Sequence, residues 1–292
     1  DISGGKLRGG TIEIDGSLSS QFISALLIAC PQLEEDTRIA ITGEKQVSSD
    51  YITMTQSVLA KSGVKVQKVH SRLFVIKGGQ RFRGFKNFTV PSDYGLAAFL
   101  MAAAALVRSD VVFEGHFNDR MIQADGKILD FLKAMGVRFV RTKTAITMKG
   151  PFPLRGGTFS LKDCPDLVPI MAVLALFAKG KTRLCDIHHA RAKESDRISD
   201  LRQDLLKVGG QVAETENELI IEPGPLSRHD VVLNPHRDHR LAMAFTVLGL
   251  KWGVKIVDME CVSKSYPGFV KDMRRLGSRI RSKAPENHRR KI

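Results

Sequence analysis

The sequence lacks the cysteine spacings of a disulfide framework or a zinc knuckle. Its four cysteines, Cys30, Cys164, Cys185 and Cys261, are scattered, and no two form a C-x-x-C pair, so we expect them to be reduced. No apolar run is long enough to cross a membrane, because the longest, residues 94–107, falls short of the roughly 18 residues required. The amino terminus shows no basic and apolar signal pattern either. These absences predict a cytoplasmic protein.

Acidic residues are fewer than basic ones, and the excess is unevenly spread. The chain has 45 Lys and Arg against 31 Asp and Glu, a net charge of +14, and residues 271–292 carry nine of those cations against two acids. We interpret residues 281–292 as a solvated basic tail, and nucleic-acid binding is the less favoured interpretation. With 292 residues and 43% hydrophobic content, the chain can bury the core of one large or two modest domains.

One structural unit recurs along the chain at a period of about 70 residues. The copies begin with "TIEIDGSLSSQFISALLIA", "FTVPSDYGLAAFLMAAAAL", "TFSLKDCPDLVPIMAVLALFA" and "VVLNPHRDHRLAMAFTVLGL". In each copy a strand leads into a helix, and a second strand and a second amphipathic helix follow. A hairpin closes the first three copies. The pattern predicts an α/β fold built from strand-helix-strand-helix-strand-strand units.

Polar residues fall at equivalent positions of the copies. At the start of the first helix these are Ser19, Ser20 and Gln21; Asp93; Asp163 and Asp166; Arg237, Asp238, His239 and Arg240. At the start of the second helix they are Ser48 and Tyr51; Asn118, Asp119 and Arg120; Lys193, Glu194 and Arg197; Lys264 and Tyr266. If the units pack with pseudo-symmetry, many helix N-termini converge on one region, and such a region favours anionic ligands.

Helix capping is the simpler interpretation of some of these residues. It explains Ser17, Asp93 and Asp163, and it also suits the acids in "ARAKESDRI", residues 190–198. Capping does not explain the cations, because a positive charge at a helix N-terminus opposes the helix dipole unless an anion compensates it. The unexplained cations are Lys193, Arg197, Arg240 and Lys264. We therefore interpret this set as an anion site with Glu194 as a proton-transfer group.

The segment "HRDHR", residues 236–240, raises the question of a metal. Two histidines flank Asp238, but no third ligand follows at a recognisable spacing. We expect no metal and no cofactor. His239 is expected to pack in the core or to cap a helix.

Five motifs together resemble the signatures of the EPSP synthase (3-phosphoshikimate 1-carboxyvinyltransferase) family, in the family's order. They are "DGSLSSQF", "CPDLVPIMAVLALFAKGKTRL", "ARAKESDRI", "DHRLAMAF" and "VSKSYPGF". The resemblance implies an inside-out α/β architecture of two domains, each with three units, and a substrate cleft between them. Four of the six units are expected here: one unit of the first domain in residues 1–85 and the three units of the second domain in residues 86–280.

The resemblance also implies carboxyvinyl transfer from phosphoenolpyruvate to the 5-hydroxyl of shikimate 3-phosphate, a step toward chorismate and the aromatic amino acids. It implies contacts to shikimate 3-phosphate from Ser19, Ser20, Gln21, Ser48, Tyr51, Asp166, His189 and Lys193. It implies contacts to phosphoenolpyruvate from Gln21, Arg197, Arg240 and Lys264. Asp166, Glu194 and Lys193 are expected to serve the proton transfers that addition to an enol phosphate requires.

The chain departs from the family pattern, because neither a "PGSKS" segment nor a "GNAGT" loop is found. We therefore expect a shortened or split form with little activity alone, completed by an N-terminal segment or a complementing chain. One alternative function is a non-catalytic half-enzyme that acts as a binding module. Another is the related carboxyvinyltransferase for UDP-N-acetylglucosamine, which is less favoured because that family does not carry "KESDR" at this position.

Overall fold

The computed structural model describes residues 5–117, 122–227 and 229–282 of the chain. Within these ranges the helices and strands alternate in four successive groups, which confirms the predicted α/β class with repeated units. Most of the predicted basic tail, residues 283–292, lies outside the described residues. No helix in the described ranges is long and apolar enough to cross a membrane.

The first unit has all six predicted elements. They are β1 (Gly10–Asp15), α1 (Ser20–Ala29), β2 (Thr37–Thr42), α2 (Ser49–Lys61), β3 (Val66–His70) and β4 (Leu73–Ile76). Its sheet has the strand order β1-β2-β4-β3, with β1 parallel to β2 and the hairpin strands antiparallel. The parallel pair is joined through α1, as a crossover connection requires.

The third unit repeats this arrangement. Its elements are β8 (Thr158–Ser160), α5 (Val168–Leu176), β9 (Thr182–Cys185), α6 (Arg197–Lys207), β10 (Gln211–Glu214) and β11 (Glu218–Glu222). The strand order β8-β9-β11-β10 matches that of the first unit, again with one parallel pair. The sequence repeat therefore corresponds to a repeated strand order in the first and third units.

The second and fourth units are less complete. The second contains α3 (Tyr94–Leu106), β5 (Val111–Glu114), α4 (Lys127–Ala134), β6 (Phe139–Arg141) and β7 (Ala145–Met148). The fourth contains β12 (Val232–Leu233), α7 (His239–Trp252), β13 (Lys255–Ile256) and α8 (Phe269–Arg275). The strand predicted at "FTV" in the second unit is wrong, since this segment is irregular. Val90 stays 73% exposed there, and the following Pro91 has no N–H to donate to a sheet.

Three helices, α3, α5 and α7, pack against one another at the centre of the second to fourth units. Helix α5 buries all nine of its residues, as expected for a helix that is apolar on every side. The β-sheets pack around these helices, so the helices lie inside and the sheets outside. This is the predicted inside-out arrangement.

Helix α1 of the first unit has a different environment. It packs on α2, and it buries three of its ten residues. Near and along α1, the side chains of Leu18, Phe22 and Ile28 are 52%, 56% and 49% exposed. The hydrophobic core of the first unit is separate from that of the other three. The separate cores support the predicted domain boundary between residues 85 and 86, which stays a prediction.

The N-terminus of α2 joins the first unit to the third. The backbone N–H of Ser48 donates to the carbonyl of Lys162 at 3.1 Å, and both the N–H and the hydroxyl of Ser49 donate to Asp163 at 2.9 Å. Asp163 was expected to cap the helix that follows it. It caps the helix of another unit instead, and this brings α1 and α2 beside the third unit.

Candidate active site

The N-termini of the central helices meet at one end of the core. Asp93 caps α3 by accepting from the N–H of Leu96 at 3.0 Å, and Asp238 caps α7 by accepting from the N–H of Arg240 at 2.8 Å. A short 3₁₀ turn, Pro165–Leu167, precedes α5 and carries Asp166. Asp166 and Arg240, which occupy equivalent positions of the third and fourth units, therefore lie at the same end of the core.

Six charged side chains form an ion cluster there. Arg197, whose side chain is 1% exposed, donates to Asp238 at 2.7 Å, Asp166 at 2.6 Å and Glu194 at 2.9 Å. Arg240 pairs with Asp166 at 2.7 Å, and Lys264 pairs with Glu194 at 2.8 Å. This ion cluster comprises Asp166, Glu194, Arg197, Asp238, Arg240 and Lys264. Carboxylates therefore compensate three of the four cations that opposed the helix dipoles.

The cluster keeps the carboxylates of Asp166 and Glu194 ionised. Burial alone would raise the pKa of Asp166, but the guanidinium groups of Arg240 and Arg197 outweigh it and hold that pKa well below its usual range. Burial would also raise the pKa of Glu194, but the hydrogen bond from Lys264 and the charge of Arg197 lower that pKa to about 2. Both groups are therefore carboxylates at neutral pH.

A cavity of about 130 Å³ lies beside the cluster, between the first and third units. Six predicted site residues line it: Ser20, Gln21, Ser48, Tyr51, Asp166 and Lys193. Asp166 belongs to both the cavity and the ion cluster, so it joins the two. The residues predicted to bind the two substrates accordingly fall into two adjacent places.

Two groups on the cavity wall lack partners among the described residues. Ser48 is 2% exposed in a left-handed backbone conformation (φ 56°), and among the residues that the structure describes its Oγ has no hydrogen-bond partner. The ammonium of Lys193 likewise forms no ion pair or hydrogen bond with any described residue. Burial lowers the pKa of Lys193, although Asp166 acts in the opposite direction. Such groups suit an anionic ligand that accepts hydrogen bonds.

Two predicted residues lie near the cavity without lining it. Ser19 caps α1 by accepting from the N–H of Gln21 at 3.2 Å, so Ser17 is not the cap of this helix as expected. His189 is 2% exposed, and neither ring nitrogen has a partner among the described residues. Burial, with Lys193 nearby, lowers the pKa of His189 to about 4, so its imidazole is neutral at pH 7.

A family model describing EPSP synthase (3-phosphoshikimate 1-carboxyvinyltransferase) matches residues 1–273. The chain belongs to this family. The match confirms the resemblance carried by the five motifs. It also extends across all four units.

Named relatives in the EPSP synthase family agree with this match. The chain is 41% identical to the 3-phosphoshikimate 1-carboxyvinyltransferase of Methanothrix thermoacetophila over 95% of its own length and 65% of that protein. It is 38% identical to the enzyme of the same name from Methanoculleus marisnigri, over 91% of this chain and 62% of that one. The chain thus spans less than two thirds of the length of these relatives.

Two solved structures have the same fold as this chain. EPSP synthase from Acinetobacter baumannii superposes with a TM-score of 0.72 at 27% identity, covering 94% of this chain and 63% of that one. The enolpyruvyl transferase NikO from Streptomyces tendae superposes with a TM-score of 0.76 at 20% identity, covering 97% and 67%. The second likeness concerns the fold alone.

The charged stretch at residues 190–198 contains both a helix cap and residues of the candidate site. Asp196 caps α6 by accepting from the N–H groups of Ile198 and Ser199 at 3.1 Å, and Arg191 pairs with Asp196 at 2.9 Å. Lys193 and Glu194 precede the helix and point to the cavity and the ion cluster instead. In this family member, part of the stretch therefore builds the helix and part builds the site. Asn118, Asp119 and Arg120 lie outside the described residues.

Sequence reasoning missed several residues of the site. Ser24, Met54 and Thr55 also line the cavity, and Ser24 and Thr55 share a hydrogen bond of 2.9 Å. Ser24 and Thr55 each follow a predicted site residue by four positions in a helix, and that spacing was a signal for a shared face. No comparable signal marked Asp125, whose carboxylate accepts from the hydroxyl of Tyr51 at 3.1 Å. In the described part of the chain, no three His, Cys, Asp or Glu side chains are arranged to hold a metal ion.

The low pKa of Glu194 predicts a stability effect with a defined pH range. Because the folded pKa of about 2 lies below the ordinary value of 4.5, the contribution is complete above about pH 4.5 and is lost as the pH falls toward 2. Glu194→Gln should lower the free energy of unfolding at pH 7 by about 1 kcal/mol, a figure reduced because solvent screens this partly exposed group. Urea unfolding at a series of pH values measures it. A difference from wild type that does not shrink below pH 4.5 would contradict the assignment.

Proposed function

We propose that this chain, completed to the length of its relatives, transfers the carboxyvinyl group of phosphoenolpyruvate to the 5-hydroxyl of shikimate 3-phosphate and releases phosphate. The relatives' names state carboxyvinyl transfer with 3-phosphoshikimate as the acceptor. The observation that carries the proposal is the junction at Asp166, where the cavity adjoins the ion cluster and includes hydrogen-bond donors without partners among the described residues. Two anionic substrates that must react with each other need two such adjoining places.

The cavity suits shikimate 3-phosphate. Phosphate oxygens would accept hydrogen bonds from Ser20 and Ser48, with Ser19 at the entrance of α1, and the buried hydroxyl of Ser48 would gain the partner that it lacks. Gln21 and Tyr51 would contact the ring. The reacting hydroxyl would then face Asp166 and Lys193, with the neutral His189 behind them.

The ion cluster suits phosphoenolpyruvate. Its carboxylate and phosphate would pair with Arg240 and Lys264, both of which are already placed beside Asp166 and Glu194, and Gln21 would reach it from the cavity. Arg197 is the third predicted contact. Because its side chain is 1% exposed and binds three carboxylates, a ligand would have to compete with them for its guanidinium.

The chemistry needs three proton movements. The hydroxyl oxygen attacks the middle carbon of phosphoenolpyruvate and loses its proton to Asp166, while the ammonium of Lys193 donates a hydrogen bond to that oxygen and the methylene carbon gains a proton. The tetrahedral intermediate then loses phosphate as the methyl carbon gives up a proton. Glu194 is the proposed group at that carbon. An anion that draws Lys264 away would weaken the hydrogen bond that lowers the pKa of Glu194, and this would let the carboxyl carry a proton.

The completing segment is part of the proposal. Leu18, Phe22 and Ile28 are about half exposed around α1, whereas the equivalent helix α5 is fully buried. Large apolar side chains exposed along one helix and just before it suit a covering partner. We place further units of the same fold against α1, in the same polypeptide or in a complementing chain. The cytoplasmic location stays a prediction.

Phosphate release measures the proposal directly. The chain is incubated with shikimate 3-phosphate and phosphoenolpyruvate, first alone and then with the N-terminal third of the Methanothrix thermoacetophila relative supplied as a separate chain. We expect negligible release from the chain alone and release that requires both substrates in the mixture. Tight binding of shikimate 3-phosphate without turnover, in the presence of the added segment, would favour the binding module instead.

A further inference from the structure

Asp125 is a buried carboxyl between the cavity and the core. It lies in a short 3₁₀ turn, Ala124–Gly126, of the second unit, and the residue is 7% exposed. Tyr51 of the first unit donates its hydroxyl to Oδ2 at 3.1 Å, while Oδ1 is buried without a hydrogen-bond partner among the described residues. Tyr51 lines the cavity, and Asp125 does not. Asp125 therefore acts on the cavity through its neighbours.

Gly95 shows how closely these neighbours approach. A Cβ atom at this position would collide with Oδ2 of Asp125 and would lie 3.2 Å from Nη1 of Arg240. Arg240 donates to the carbonyl of Gly95 at 3.3 Å with that same group, and its other terminal nitrogen pairs with Asp166 at 2.7 Å. The carboxyl of Asp125 and the guanidinium of Arg240 thus flank one glycine.

Apart from the helix cap Asp93, the charges of the cavity and the ion cluster balance only if Asp125 is ionised. The four cations Lys193, Arg197, Arg240 and Lys264 face the four acids Asp125, Asp166, Glu194 and Asp238. A proton on Asp125 leaves this set with one excess positive charge. Such an excess favours a bound anion, whereas an ionised Asp125 repels it.

The groups that face Asp125 disfavour its charge. Burial raises its pKa to about 7, Asp166 and the α3 cap Asp93 act in the same direction, and Arg240 and the hydroxyl of Tyr51 act against them. The protonated and ionised forms are therefore close in free energy at neutral pH. A small change in nearby charge decides between them.

We infer that Asp125 is a positioning residue that couples anion binding in the cavity to proton uptake. It holds Tyr51 at the cavity wall, and it carries a proton while an anion is bound. By reciprocity, the proton and the anion each strengthen the binding of the other. This inference rests on the proposed function only insofar as the cavity takes an anionic ligand.

Sulfate is the probe, because it stays fully ionised across the pH range used. Its dissociation constant is measured by calorimetry from pH 5.5 to 8.5 for wild type, Asp125→Asn and Tyr51→Phe. We expect wild type to bind roughly tenfold more weakly at the upper end, as Asp125 ionises. Asp125→Asn should keep the tight low-pH constant throughout. Tyr51→Phe should weaken binding but keep the pH dependence, because Asp125 remains.

Two controls identify the site and the titrating group. Lys193→Met should remove the sulfate signal, which locates that signal in the cavity. His189, with its pKa near 4, does not titrate in this range. Asp125→Ser offers a smaller neutral side chain, and it should reproduce the flat profile if Asp125→Asn folds poorly.

The inference is overturned if wild type shows no pH dependence, if sulfate does not bind at any pH, or if the neutral variants keep the wild-type slope. The proposed function fails in a different way. Shikimate 3-phosphate that binds no better than sulfate, with the pH coupling intact, would count against the function and leave the coupling standing.

Discussion

Replacing Arg197 with methionine should lower the free energy of unfolding by about 3 to 5 kcal/mol. The guanidinium is 1% exposed and holds Asp166, Glu194 and Asp238. Its removal leaves the fully buried carboxylate of Asp238 without its cation, and it leaves Asp166 and Glu194 with one cation each, Arg240 and Lys264. The loss of a buried partner costs more than the pair itself contributes, because the remaining charges keep their desolvation penalty. For a chain of this size the melting temperature should fall by roughly 10 °C.

Arg183→Met is the matched control. Arg183 binds Glu218 through two hydrogen bonds of 2.7 and 2.8 Å, but its side chain is 47% exposed. Solvent screens such a pair, and its loss should cost under about 1 kcal/mol. Guanidinium unfolding curves of the two variants and wild type give both values. Equal, small losses in the two variants would show that the ion cluster does not support the fold.

The fold was largely predictable from the sequence because each unit repeats its own hydrophobic pattern. The segment that forms α5 is apolar on every side, and this composition can belong only to a helix surrounded by other elements. The strand expected at "FTV" shows where pattern reasoning stops. Its residues have strand propensity, yet Val90 remains exposed and the segment pairs with no strand in the described part of the chain. Pairing depends on neighbours that are distant in sequence.

The candidate site was predictable to the extent that it follows the repeat. Equivalent positions placed Asp166, Lys193 and Arg240 at converging helix ends, and the structure brings them together. Contacts between units followed no such rule. Tyr51 meets Asp125 across 74 residues and Ser49 meets Asp163 across 114, so only the packing of whole units decides them. For this reason the role of the buried carboxyl of Asp125 could not be predicted from the sequence.

The contrast within the "KESDR" segment leads to the second large effect. Lys193 lies four residues from Arg197 but has the opposite environment, since its ammonium faces the cavity without an ion-pair or hydrogen-bond partner in the described ranges. Lys193→Met should therefore leave the melting temperature unchanged within about 2 °C, because no charge loses its cation.

Anion affinity should respond strongly to the same substitution. A charge-assisted hydrogen bond between Lys193 and a phosphate or the reacting hydroxyl contributes about 1.5 to 3 kcal/mol, so shikimate 3-phosphate should bind roughly 10- to 100-fold more weakly to Lys193→Met. Lys127→Met serves as the control, because Lys127 pairs with Asp130 on the surface and lies outside the cavity lining. Calorimetric titration of the three proteins measures the affinities. If Lys193→Met bound shikimate 3-phosphate as tightly as Lys127→Met, the cavity would not be the phosphate site, because its one lining ammonium among the described residues would have no ligand to hold.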